Sequence, residues 1–170
     1  MLTLRNVAGV VLAVAAIGAG FWSAAIAGGQ SAPATALPAE LRANVQKEQF
    51  SIVTSIRGLP LGVRGELETL FGAHSLDIAE PGGQFQSSGV ESVSRLPVRR
   101  LVAAGCSYDY CLVYYERGGS ARTWRAALFH WTPDATRFEW GGNAPGGLAT
   151  IADVQKALLS GTVKGPVENW

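Results

Sequence analysis

Apolar and polar positions alternate most clearly between Arg99 and Gly142. There β-branched and aromatic runs are separated by short turn-forming stretches, the pattern of a four-strand antiparallel β-meander. Arg100 to Gly105 and Leu112 to Arg117 flank the segment Cys106-Ser-Tyr-Asp-Tyr-Cys111. With the two cysteines opposite one another, Ala104 pairs with Val113, Val102 with Tyr115 and Arg100 with Arg117. Gly119-Ser120 reads as a two-residue type II′ turn, which sets Arg117 against Arg122, Tyr115 against Trp124 and Val113 against Ala126. A third turn, Pro133-Asp134-Ala135-Thr136, sets Trp131 against Phe138 and Phe129 against Trp140.

Side chains alternate across a strand, so this register sorts the residues into two faces. One face carries Leu101, Ala103, Leu112, Tyr114, Ala127, Phe129, Trp131, Phe138 and Trp140. The other carries Val102, Ala104, both cysteines, Val113, Tyr115, Trp124, Ala126 and Leu128, with Arg100, Arg117, Arg122, His130 and Glu139 toward the strand ends. Neither face is cleanly polar, whereas a meander wet on one side alternates hydrophobic-in and polar-out. The pattern therefore predicts cover on part of each face.

Elsewhere the period lengthens. Pro38 suits the first turn of a helix reaching about Glu48, with Leu41 and Val45 as its apolar stripe. Phe50 to Ile56 alternates as a further strand and is stopped by Gly58 and Pro60. Val63, Leu67, Leu70 and Phe71 mark an amphipathic helix over Leu61 to Phe71, closed by Gly72. Residues 74–96 carry turn signals and one candidate short strand, Ser75 to Ile78. After the loop Gly141 to Gly147, Thr150 and Asp153 resemble a capping box. The helix they open buries Ile151, Val154 and Leu158, ends near Leu159 and is stopped by Gly161. The fold class is α+β: an antiparallel meander of four to five strands packed by two or three short helices, after an N-terminal hydrophobic segment.

That N-terminal segment changes the picture of where the domain works. Val7 to Trp22 has no charge, Arg5 precedes it, and Ala25 and Ala27 form an A-x-A pattern. Residues 1–29 read either as a signal peptide cleaved after Ala27 or as a retained membrane anchor, and both put the domain outside the inner membrane. Residues 30–39 read as an Ala/Pro/Ser linker and 40–170 as a single exported domain, periplasmic or extracytoplasmic, secreted or anchored. Two cysteines spaced C-x₄-C in such a compartment predict a disulfide between Cys106 and Cys111, with Cα atoms about 4.4–6.8 Å apart.

Charge adds little: 14 basic residues face 13 acidic ones, which gives no bulk field for nucleic acid. No G-x-S-x-G, phosphate-binding loop or metal-ligand spacing occurs, and no cofactor is implied. Two local arrangements carry chemistry. The predicted row Arg100, Arg117, Arg122 offers guanidinium groups to an anionic ligand or to a carboxylate on an envelope protein. His130 opposite Glu139 has the geometry of a carboxylate-oriented imidazole, and His74 lies near Asp77 in sequence. The reading favoured is a non-catalytic binding or accessory module of the envelope. The alternative is a small hydrolase-like enzyme using His130, Glu139 or His74.

Overall fold

A computed structural model describes residues 35–87, 95–167 and 169–170; the expected signal or anchor segment lies outside them. Five strands form one antiparallel sheet in chain order: β1 (Ser51–Val53), β2 (Arg99–Cys106), β3 (Tyr110–Arg117), β4 (Thr123–Trp131) and β5 (Thr136–Ala144). Three helices accompany it: α1 (Ala39–Val45), α2 (Leu61–Phe71) and α3 (Ile151–Leu159). The α+β meander read from the sequence is the fold.

Cover on both faces is also present. On one side, α1 and α3 close over Leu112, Tyr114, Ala126, Leu128 and Trp140. On the other, α2 with Leu59 and Ile78 closes over Leu101, Val113, Tyr115, Ala127 and Phe129. Tyr114, Tyr115 and Phe129 are fully buried, and each such side chain contributes roughly 1.5–3 kcal/mol by leaving water.

The helix ends follow the sequence signals. Gly72 adopts a left-handed φ of 61° and ends α2 after Phe71. Thr150 Oγ1 accepts from the Asp153 amide at 3.2 Å while Asp153 Oδ2 accepts from the Thr150 amide at 3.1 Å, so the short Asp completes a reciprocal capping box. Pro38 sits just ahead of α1 rather than in its first turn. Thr35 bridges to Gly165 and Leu37 is buried, so the fold reaches back into the stretch expected as linker. In place of a strand over 75–78, Ala79 makes a parallel bridge to Arg100.

Register is where sequence and structure part. Cys106 faces Cys111, the two are bonded, and Ala104 faces Val113 as expected. The Cα separation of 4.0 Å is shorter than the expected range, as suits directly opposed residues next to the hydrogen-bonded Ser107–Tyr110 pair. Val102 then forms a bulge, so Leu101 rather than Val102 meets Tyr115, and Arg100 meets Glu116 instead of Arg117. The β3–β4 connection is not a two-residue II′ turn. It spans residues 118–122 and pairs Arg117 with Thr123, Glu116 with Trp124 and Tyr115 with Arg125. A slip of one residue exchanges faces, and Ala127 and Phe129 accordingly lie with Val113 and Tyr115, not with Leu112 and Tyr114. At the third hairpin Phe129 meets Phe138 and Trp131 meets Thr136; Glu139 is left in a second bulge, which returns Trp140 to the α3 side opposite Leu128.

Candidate functional site

The end of the sheet where β2 starts, β3 stops and β4 starts collects five arginines: Arg99, Arg100, Arg117, Arg122 and Arg125. Alternation divides them. Arg100 and Arg122 join Glu116 on the α3 side, whereas Arg99, Arg117 and Arg125 surround Tyr115 on the α2 side. The expected row Arg100–Arg117–Arg122 is therefore not formed. Arg100 and Arg122 come together, and Arg117 points to the opposite face.

On the α3 side, Glu116 is 2% exposed and holds both neighbours. Its Oε1 accepts from Arg100, and its Oε2 accepts from Arg122 Nε at 2.7 Å and from Arg122 Nη2. The counter-charge that a row of arginines requires is thus supplied from within the chain, through charge-assisted bonds. The Arg100 guanidinium lies 4.6 Å above the Phe85 ring, and that of Arg122 lies 5.6 Å from the Trp124 ring. These side chains border an open cleft of ≈ 370 Å³ lined by Arg100, Glu116, Arg122, Trp124, Pro81 and Gly147. A Cβ on Gly146 would lie 3.0 Å from the Trp124 ring, so the glycine loop can rest directly on the indole.

On the α2 side three arginines gather around Tyr115. Arg99 is 5% exposed; its Nη1 donates to Asp77 Oδ2 at 2.8 Å, its Nη2 donates to the Trp170 carbonyl, and its guanidinium lies 4.0 Å above Phe71. Arg125, also buried, bonds to Asn143 Oδ1 and at 3.4 and 3.5 Å to the Asn169 carbonyl. Burial pushes both arginines below their ordinary values, partly offset for Arg99 by Asp77. Burial pushes the Tyr115 phenol upward against the pull of Arg99, Arg125 and Arg117, so it stays a neutral hydroxyl. The Arg99 side chain and that hydroxyl are each other's hydrogen-bonding neighbours, whereas Arg117 Nε and Thr123 Oγ1 are buried without a partner among the described residues. Each orphaned group costs about 1–3 kcal/mol.

The expected cross-strand pair of His130 with Glu139 is not formed. His130 lies opposite Arg137, not Glu139, and stacks edge-on against Tyr110 at 5.5 Å between centroids. Glu139, displaced by its bulge, pairs with Arg137. His74 is exposed, and Asp77, its neighbour in sequence, is engaged by Arg99 and by the Val98 amide. Among the described residues no three metal-ligating side chains converge, and no helix is long and apolar enough to cross a membrane.

Sequence reasoning missed Glu116, Arg99, Arg125 and Tyr115. The available signal was Glu116 beside the arginine row: a shift of one residue offers Arg100 a carboxylate, although it sets Arg99 opposite Arg117 in its place. No family model, no curated protein and no solved structure matches this chain.

Proposed function

We propose that the chain is an exported, non-catalytic binding module of the cell envelope, and that it engages its partner at the cleft bounded by Arg100, Arg122, Glu116 and Trp124. The observation that carries this reading is the cleft itself. It is open, stands on a sheet packed on both faces, and combines a half-exposed guanidinium with an indole wall and a buried carboxylate. Such a mixture of one apolar surface with a few fixed polar groups suits recognition. Arg122 is 47% exposed and keeps donor capacity beyond Glu116, which fits a partner carboxylate or another anionic group. The bonded cysteine pair is compatible with an oxidising compartment, and the A-x-A pattern at Ala25 and Ala27 supports export.

A photo-crosslinking amino acid placed at exposed Pro81, which lines the cleft, tests the reading in intact cells. One discrete crosslinked species in the envelope fraction, lost on Arg122→Ala, is expected. A smear, or a species that persists in Arg122→Ala and Trp124→Ala, would overturn it.

A further inference from the structure

The cleft beside Arg122 continues along β2. Pro81 and Val102 line both it and a second hollow of ≈ 270 Å³, whose other walls are mainly apolar and include Ile52 of β1, Ala103 of β2 and Ile151 at the start of α3. Both hollows lie on the α3 side of the sheet. Ile52 stands opposite Gly105, whose added Cβ would meet Ile151 at 2.9 Å, and Trp124 packs against the same core as Ile151. The two hollows are one groove from the edge of the sheet to Arg122. We infer, resting on the reading that Arg122 contacts the partner, that this groove takes an extended peptide segment of that partner, with an apolar side chain against Ile52 and a carboxylate on Arg122. Hollows of this size that share a wall are centred roughly 7–10 Å apart, and an extended chain rises about 3.3 Å per residue, so the two side chains stand about two or three positions apart.

The groove is formed before a partner arrives. Ala79 bridges to Arg100, and the Arg100 guanidinium donates to the Gly83 carbonyl at 3.2 Å, so the turn that carries Pro81 is fixed to β2. On the same turn, Glu80 Oε2 accepts from the Ile56 amide at 2.8 Å, which ties the turn to the chain leaving β1. Walls fixed in advance lower the ordering cost of binding. The two ends of the groove suit different groups. At one end Ile52 is 75% exposed, an apolar side chain of an edge strand standing in water beside an apolar hollow. At the other, Arg122 gives Nε and Nη2 to Glu116 while remaining half-exposed, and its planar fork matches a carboxylate. A purely apolar ligand would leave Arg122 unused, and an inorganic anion would leave Ile52 in water. An anionic lipid meets both demands only in part, because its acyl chains outrun a hollow of ≈ 270 Å³. Separate recesses for successive side chains are how extended peptides are recognised.

A random peptide library displayed on phage, selected on the full chain held in mild detergent, tests the inference. Enriched peptides are expected to carry Leu, Ile or Phe about two or three positions from Asp or Glu. Fluorescein-labelled synthetic copies, titrated by anisotropy, are expected to bind Ile52→Ser and Ala149→Glu about tenfold more weakly than wild type. The first variant removes apolar contact, and the second sets a carboxylate on the exposed rim of the same hollow. Both residues are exposed, so both variants melt near the wild-type temperature and the loss is one of binding. Arg122→Ala weakens the same peptides about tenfold, and replacing the peptide's Asp or Glu by its amide removes that difference. Acidic peptides that need Arg122 but bind Ile52→Ser and Ala149→Glu as tightly as wild type would overturn the peptide groove and leave the Arg122 cleft as the site. Peptides that bind Arg122→Ala as tightly as wild type would overturn both. An absence of enrichment, the result a lipid-specific groove would give, also overturns the peptide groove.

Discussion

Glu116→Gln removes the charge that two arginines share while keeping the shape of the side chain. Glu116 is 2% exposed, whereas Arg100 and Arg122 are 26% and 47% exposed, so the loss falls on the buried partner and the arginines partly rehydrate. Breaking a fully buried pair costs about 3–5 kcal/mol, and an exposed pair is worth less than about 1. One oxygen of the new amide still accepts, while its nitrogen faces a guanidinium and loses charge-assisted bonds worth about 1.5–3 kcal/mol each. With rehydration set against this, the expected cost is about 2–3 kcal/mol. At roughly 2–4 °C per kcal/mol for a chain of this size, Tm falls by about 4–12 °C. Urea unfolding at neutral pH, with an unchanged m-value, measures it directly. Arg122→Gln leaves Glu116 held by Arg100 and is expected to cost about 1 kcal/mol. If Glu116→Gln costs under about 1 kcal/mol, or if Arg122→Gln costs as much, the carboxylate is not the hub of the cluster.

Three further outcomes follow from the packing. Replacing Cys106 and Cys111 together by Ser frees only a short loop and lowers stability by about 2–3 kcal/mol, read from the denaturation midpoint of the double variant. Gly141→Ala places a Cβ 2.4 Å from the Trp170 ring and 2.5 Å from the Ala126 carbonyl; overpacking of this kind costs about 1–3 kcal/mol, and tryptophan fluorescence reports whether Trp170 leaves its place against Phe138. The hydrogen bonds from Thr150 hold the Asp153 carboxyl below the usual carboxylate range. A depressed carboxylate contributes stability above its unfolded value, about 3.9, and loses it as pH falls through the folded value. The gap between wild type and Asp153→Asn is therefore constant near neutrality and closes below about pH 4 in a denaturation series.

Local signals were legible in the sequence and long-range ones were not. Leu61 to Phe71 became a helix with the expected bounds because its apolar stripe and Gly72 are both local. Thr150 and Asp153 capped α3 for the same reason. The cysteines fixed the first hairpin at its turn, and pairing held as far as Ala103 opposite Tyr114. Beyond that point the register depends on Val102 and Glu139, whose bulges leave no composition signal, and on a five-residue loop at Gly118 to Arg122 that two glycines disguise as a tight turn. The site moved with the register. Arg100 and Arg122 stayed neighbours only because Glu116 came between them, and Arg117 joined a cluster around Tyr115 that no motif announces.

The bulge at Val102 also gives β2 a residue to spare. Every pairing from Arg99 to Leu101 on one side of it, and from Ala103 to Cys106 on the other, is complete without it. A chain shortened by that one position would keep Arg100 beside Glu116 and Arg99 beside Arg117, whereas shortening β3 anywhere between Tyr114 and Glu116 would shift both arginines relative to their partners. The two strands of this hairpin are thus unequal in their tolerance to changes of length, and drift in length along a lineage is expected to accumulate in β2 and spare β3.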